Sequence, residues 1–124
     1  NNLIIISGGK IMELLVLVLN QPERLEEILE GFLHEGISGA TVLESTGMGR
    51  ELCDTAPFFG GIRQLIQGCR PHNVTVFTVV RSEEERKKAI KVIDEVIGDV
   101  SKPNAGIYFT VPVTSVNGLM EPLL

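Results

Sequence analysis

Tryptophan is absent, tyrosine occurs once, and aromatic residues make up only 5% of the 124 positions. The 44% of the chain that is hydrophobic is therefore mostly aliphatic, a composition suited to strands and closely packed layers. Positive charge is scarce as well. Eleven Lys and Arg stand against sixteen Asp and Glu, for a formal charge of −5, so there is no basic face to neutralise a phosphate backbone. Nucleic acid is accordingly disfavoured as a main partner. No apolar run approaches the roughly 18 residues of a membrane helix, and the N-terminus lacks the charged-then-apolar order of a secretory leader. These absences lead to the expectation of a cytoplasmic protein with no membrane insertion. Cysteine is limited to Cys53 and Cys69, too few for a disulfide scaffold, and a cytosolic chain ordinarily keeps both reduced.

What is present fits one domain with one core. Leu14 to Leu19 is an unbroken apolar run ending at Asn20-Gln21-Pro22, as in a strand buried on both faces. Pro22 suits a first helical turn, Glu23, Glu26 and Glu27 complement its positive end, and Leu25, Ile28, Leu29 and Phe32 recur at helical spacing up to Gly36. Ile37 to Met48 turns to Thr, Val and Leu between glycines, a strand entering a loop. From about 50 to 73 neither period persists, apart from a potential helical turn near Ile62 to Ile66. A stretch of that length inside a compact domain is a functional or disordered loop. Val74 to Val80 is a strand by composition, and Ser82 with Glu85 forms a capping box opening a helix with Ala89, Ile90, Ile93, Val96 and Ile97 on its apolar stripe. Ile107 to Val113 is the last strand, with Pro112 placing it at an edge or an end.

The order is βαββαβ, an α+β ferredoxin-like fold whose four-stranded antiparallel sheet carries two helices on one face. The other face would be apolar and uncovered, which predicts oligomerisation through it. A complete domain is readable over 12–124. Residues 1–11 read as an extension ahead of it or, alternatively, Leu3 to Ile6 adds an edge strand.

The most informative string is Gly36-Ile37-Ser38-Gly39-Ala40-Thr41-Val42-Leu43-Glu44-Ser45-Thr46-Gly47-Met48-Gly49-Arg50. It resembles the stretch of the PII signalling family (the nitrogen regulatory protein PII superfamily) that leaves the second strand for the nucleotide-facing loop. Met12 to Glu35 and Val74 to Val113, with its closing Val-Pro-Val, resemble the rest of that domain. The resemblance implies a trimer that binds an effector in clefts between subunits. It assigns ligand contacts to Thr41, beside an adenine ring, to Gly47, Met48, Gly49 and Arg50, and to Asn104 and Gly106 in the second phosphate-facing loop. Physically, Gly47 and Gly49 would permit positive φ and close approach to main-chain amides, and Arg50 would pair with a phosphate or carboxylate. Without the resemblance, the same residues read as a glycine-rich strand exit with a surface arginine.

Departures from the family pattern narrow the ligand. The family's Thr-Gly-x-x-Gly-Asp-Gly-Lys loop is replaced by Asp99 to Ile107, its lysine becoming Ile107; Glu51 stands for a glutamine and Asn73 for a lysine, and no arginine pair follows Val113. A site so depleted of cations favours a less charged ligand, such as a nucleoside, a monophosphate or another adenosyl compound. Lys102 supplies one replacement charge or is simply an exposed turn lysine. The loop at 50–73 has no tyrosine, so uridylylation is not implied; its Phe58, Phe59 and Ile62 read equally as a docking element for a target transporter or enzyme and as packing against a neighbouring subunit. Cys53 and Cys69 bracket this loop, with inert thiols the commoner reading and a redox switch the other.

No zinc spacing joins His34, His72 and the cysteines, and no nucleophile elbow, Walker sequence or His-Glu-x-x-His occurs, so neither a metal site nor catalysis is expected. The rivals to a sensor are a ferredoxin-like trimer binding divalent metal, similar to the CutA family, a small enzyme using the cleft, and a purely structural subunit.

Overall fold

In the computed structural model the described residues are 3–5, 12–55, 72–98 and 105–119. Strand β1 spans Leu3–Ile5, β2 Glu13–Leu19, β3 Ala40–Ser45, β4 Asn73–Val80, β5 Gly106–Pro112 and β6 Ser115–Asn117. Helix α1 covers Leu25–His34, entered through a 3-10 turn at Pro22–Arg24; α2 covers Met48–Thr55 and α3 Glu83–Ile97. The main sheet has four strands in the order β3-β4-β2-β5, every pairing antiparallel, so the expected α+β ferredoxin-like architecture is present.

The apolar run of β2 takes the centre because it can be covered on both faces and from both sides. Leu15, Leu17 and Leu19 face the helices, and with Val74, Val76 and Val80 of β4 they pack against Ile28 and Phe32 of α1 and Ala89, Val92, Ile93 and Ile97 of α3. Val92 belongs to this stripe although the helical pattern was read without it. The two helices touch closely at Gly31, where a Cβ would stand 2.5 Å from a Val92 methyl. Arg24 fastens the same layer, donating from Nη2 to the Val96 carbonyl at 2.5 Å. The capping box forms as expected, Ser82 Oγ accepting the Glu85 N–H at 3.1 Å, and α3 stops at Gly98, whose φ is 71°.

Register fixes the second face. Val16 lies opposite Phe77 on one side and Phe109 on the other, Leu14 opposite Val79 and Val111, and Val18 opposite Thr75 and Ile107. Cross-strand partners share a face, so these side chains form an apolar surface turned away from the helices. Ile107 is 56% exposed and Phe109 45%, while Val16, flanked by both phenylalanines, is covered.

Three expectations change. Leu3–Ile5 is a strand, but it pairs with β6 in a separate two-stranded sheet and does not add an edge to the main one, as the alternative for Leu3 to Ile6 would have it. The loop read from Arg50 onwards is helical at its start, because α2 begins at Met48 and the Gly47 carbonyl accepts the Glu51 N–H at 3.0 Å. Gly47 and Gly49 therefore do not adopt the positive φ expected of them; the described glycines that do are Gly36, Gly98, Gly106 and Gly118. Met48, Arg50, Glu51 and Leu52 are good helix formers and outweigh the two glycines.

Candidate functional site

Three strand ends and the exit of a fourth place most of the expected ligand contacts at one end of the sheet. β3 delivers Gly47, Met48, Gly49 and Arg50 there, and β5 starts there with Gly106, which pairs with Leu19. Met48 is 79% exposed, whereas Arg50 is half-buried; Arg50 and Glu51 both engage in interactions. Gly106 has its own structural reason. Its φ is 142°, and a Cβ would overlap the Val18 carbonyl oxygen of the neighbouring strand. Asn104 lies outside the described residues, as do Lys102, Phe58, Phe59, Ile62 and Cys69.

A polar network braces this end. Ser45 Oγ donates to Asn73 Oδ1 and shares a hydrogen bond of 2.7 Å with Thr75 Oγ1, and Asn73 Nδ2 donates to Asn20 Oδ1 at 3.3 Å. Thr46 Oγ1 and His72 Nδ1 share a further bond of 3.1 Å. Asn73 is 7% exposed, so its hydrogen bonds satisfy a buried amide, and the same amide stands beside Gly47. Sequence reasoning noted Asn73 only as a missing lysine. Hydrogen bonding between residues 28 or more apart in sequence leaves no local signal.

Thr41 is elsewhere. It sits near the start of β3, and the strand rise of about 3.3 Å per residue puts it about 13 Å from Ser45, with Gly47 beyond. β3 and β5 are opposite edges of the sheet, about 14 Å apart at normal strand spacing. In one chain, then, Thr41 lies most of a strand's length from the end that delivers Gly47, Met48, Gly49 and Arg50, and that strand and the one carrying Gly106 are opposite edges of the sheet. Thr41 instead lines a cavity of about 330 Å³, together with Ser38, Gly36, Gly39, Arg81 and Glu85. Arg81 and Glu85 were not read as site residues, Glu85 being accounted for as a cap. Burial raises the Glu85 pKa from its ordinary value; the charges of Arg81 and Lys88 and a hydrogen bond from the Arg81 backbone oppose that shift.

Such a sheet, with helices on one face and site residues divided between its two ends, can be set against known folds. Arabidopsis thaliana PII bound to citrate superposes with a TM-score of 0.58 over 84% of this chain and 78% of that chain, at 20% sequence identity. The chain has a PII-like fold. No protein-family model matches it, and no curated protein matches it. At that identity the likeness is one of architecture, and the cleft chemistry rests on this chain's own residues.

Among the described residues, no group of three or more His, Cys, Asp or Glu is placed to hold a metal ion, and no helix is long and apolar enough to cross a membrane. Cys53 is buried at 5% exposure and is disulfide-bonded, not the reduced thiol expected of it. Its position on α2 puts that bond one helical turn from Arg50.

Proposed function

We propose that the protein is a non-catalytic, PII-like regulatory protein of the cytoplasm. It assembles as a homotrimer and takes a small effector, an adenine nucleotide or another adenosyl compound, in the clefts between copies. The observation that carries this reading is the separation of Thr41 from Gly47, Met48, Gly49 and Arg50 along one strand. Those residues surround a single ligand only when one copy's strand end faces another copy's strand start. The apolar face built on Val16, Ile107 and Phe109 supplies the means of association. Fold likeness to a PII protein supports the regulatory role, and the neighbour's bound citrate is an example of a small anion held by that fold.

The unit is the single domain 12–124, to which Leu3–Ile5 adds a strand. α2 carries Gly49 and Arg50 in its first turn and leads into the remainder of 50–73. Effector contact at its start biases where that segment lies, and the segment docks on a protein target such as a transporter or enzyme. Few cations surround the cleft, so the effector carries less charge than a triphosphate.

Sedimentation equilibrium and calorimetric titration test this directly, with AMP, ADP, ATP and S-adenosylmethionine as ligands and divalent metals as the contrasting set. A trimer binding one adenosyl compound, weakened at least tenfold by Arg50→Ala, is the expected result. A monomer, or a thermal response to metal alone, overturns it.

A further inference from the structure

The cavity at the Thr41 end contains two opposite charges that are close enough to influence one another and yet form no ion pair. The Arg81 guanidinium makes no hydrogen bond or salt bridge among the described residues, although the Arg81 charge acts on Glu85. Both side chains are half-buried and line the same space of about 330 Å³. The Glu85 carboxylate takes a hydrogen bond from the Arg81 backbone and feels the Lys88 charge, but no salt bridge joins it to the Arg81 guanidinium, and two charged groups so placed on one cavity wall are complementary to a dipolar group set between them. A carboxylate meets the guanidinium fork, and an ammonium meets the glutamate. Thr41 and Ser38 add hydroxyls on the same wall. The hydroxyl of Thr78 is already used, donating to the Gly39 carbonyl at 3.3 Å. The volume is at the small end of ligand sites, which run from about 300 to 1,000 Å³, and so suits one compact polar group, not a whole dinucleotide.

We infer that this cavity binds a zwitterionic α-amino-acid group, its carboxylate on Arg81 and its ammonium on Glu85. The group is either a free amino acid or the amino-acid end of a larger adenosyl molecule whose remainder extends toward the neighbouring copy; the second source rests on the function proposed above. Neither residue belongs to the string that carries the family resemblance, and the assignment depends on the cavity and on the Arg81 guanidinium and Glu85 carboxylate that no salt bridge joins.

Three ligands separate the sources. S-Adenosylmethionine carries both the nucleoside and the amino-acid group, 5′-methylthioadenosine the nucleoside alone, and L-methionine the amino acid alone. Calorimetric titration of the full chain is expected to show S-adenosylmethionine binding at least tenfold more tightly than methylthioadenosine. Arg81→Ala and Glu85→Gln abolish that advantage, while Arg81→Lys, which keeps the charge but loses the planar fork, retains part of it. Thermal melts of each variant establish that it is folded. Methionine binding with neither adenosyl compound bound would leave this inference standing with a free amino acid as its source, and would remove S-adenosyl compounds as effectors. Equal affinity for the two adenosyl compounds, or unchanged affinity in the variants, would overturn the inference and leave the adenosyl reading intact. No binding of any of the three overturns the inference, and the titrations with AMP, ADP and ATP then decide the adenine-nucleotide reading on their own.

Discussion

Gly106→Ala offers a sharp separation between a structural and a ligand-contacting glycine. At φ 142° any residue with a Cβ is strained, and the added carbon would meet the Val18 carbonyl oxygen, a backbone atom that cannot swing aside. Strain of this kind is worth roughly 1–3 kcal/mol. Relief by displacing β5 from β2 would weaken the adjoining bond from the Asn20 N–H to the Ala105 carbonyl, 3.3 Å long, with a net loss near 1 kcal/mol. The sum is about 3 kcal/mol, a large part of the roughly 5–15 kcal/mol that stabilises a domain. For a chain of this length that corresponds to a fall in melting temperature of about 10 °C. Differential scanning calorimetry at fixed protein concentration reads it, with Gly39→Ala as control, since nothing lies within 4 Å of a Cβ there and its φ is ordinary. A Gly106→Ala protein melting within about 2 °C of the parent would refute the claim that strand approach demands this glycine.

Phe109→Glu places a charge on the apolar face at a position 45% exposed, so the fold should survive while assembly weakens by about 3 kcal/mol, or roughly a hundredfold; a variant that sediments as the parent does would locate the interface elsewhere. Glu85 has a native pKa above its unfolded value, so the native state holds that proton more tightly, and the group's contribution to stability is greatest at low pH and is lost as pH rises through the native pKa. Glu85→Gln should accordingly melt above the parent at pH 7 and close that gap by pH 4; a variant less stable at neutral pH contradicts the burial account. Thiol titration of the denatured, unreduced protein should find no free thiol at Cys53, and reduction should lower the melting temperature, a disulfide being worth about 2–4 kcal/mol.

The sheet and its two covering helices were legible because their signals are local and repeated. Leu14 to Leu19 reads as a strand buried on both faces and lies at the sheet's interior, Ser82 and Glu85 announce a helix start, and Pro112, read as marking an edge or a strand end, closes the edge strand β5. The start of α2 was not legible, since Gly47 and Gly49 argue for a turn and eight residues are too few for a helical period to override them. The Thr41 string was recognisable as a string, but spacing along a chain does not say which residues of a strand share a ligand. Only the strand's extended length separates Thr41 from Arg50. Arg81 and Glu85 became visible as a pair when folding brought them to one cavity wall with Thr41 and Ser38, 40 or more positions earlier in the chain.

β3 is an edge strand whose side chains are all exposed or half-buried, so hydrophobic burial gives it little reason to prefer one pairing with β4 over a slip by one residue. Ser45, held by Asn73 and Thr75, supplies that preference, because a slip would bring Glu44 or Thr46 to the same place and break both bonds. The aim of Gly47 and Arg50 is thus set by three polar side chains and not by the core. Exchanging those side chains would re-point the strand exit and its helix by one residue step while the folded domain behind them stayed intact.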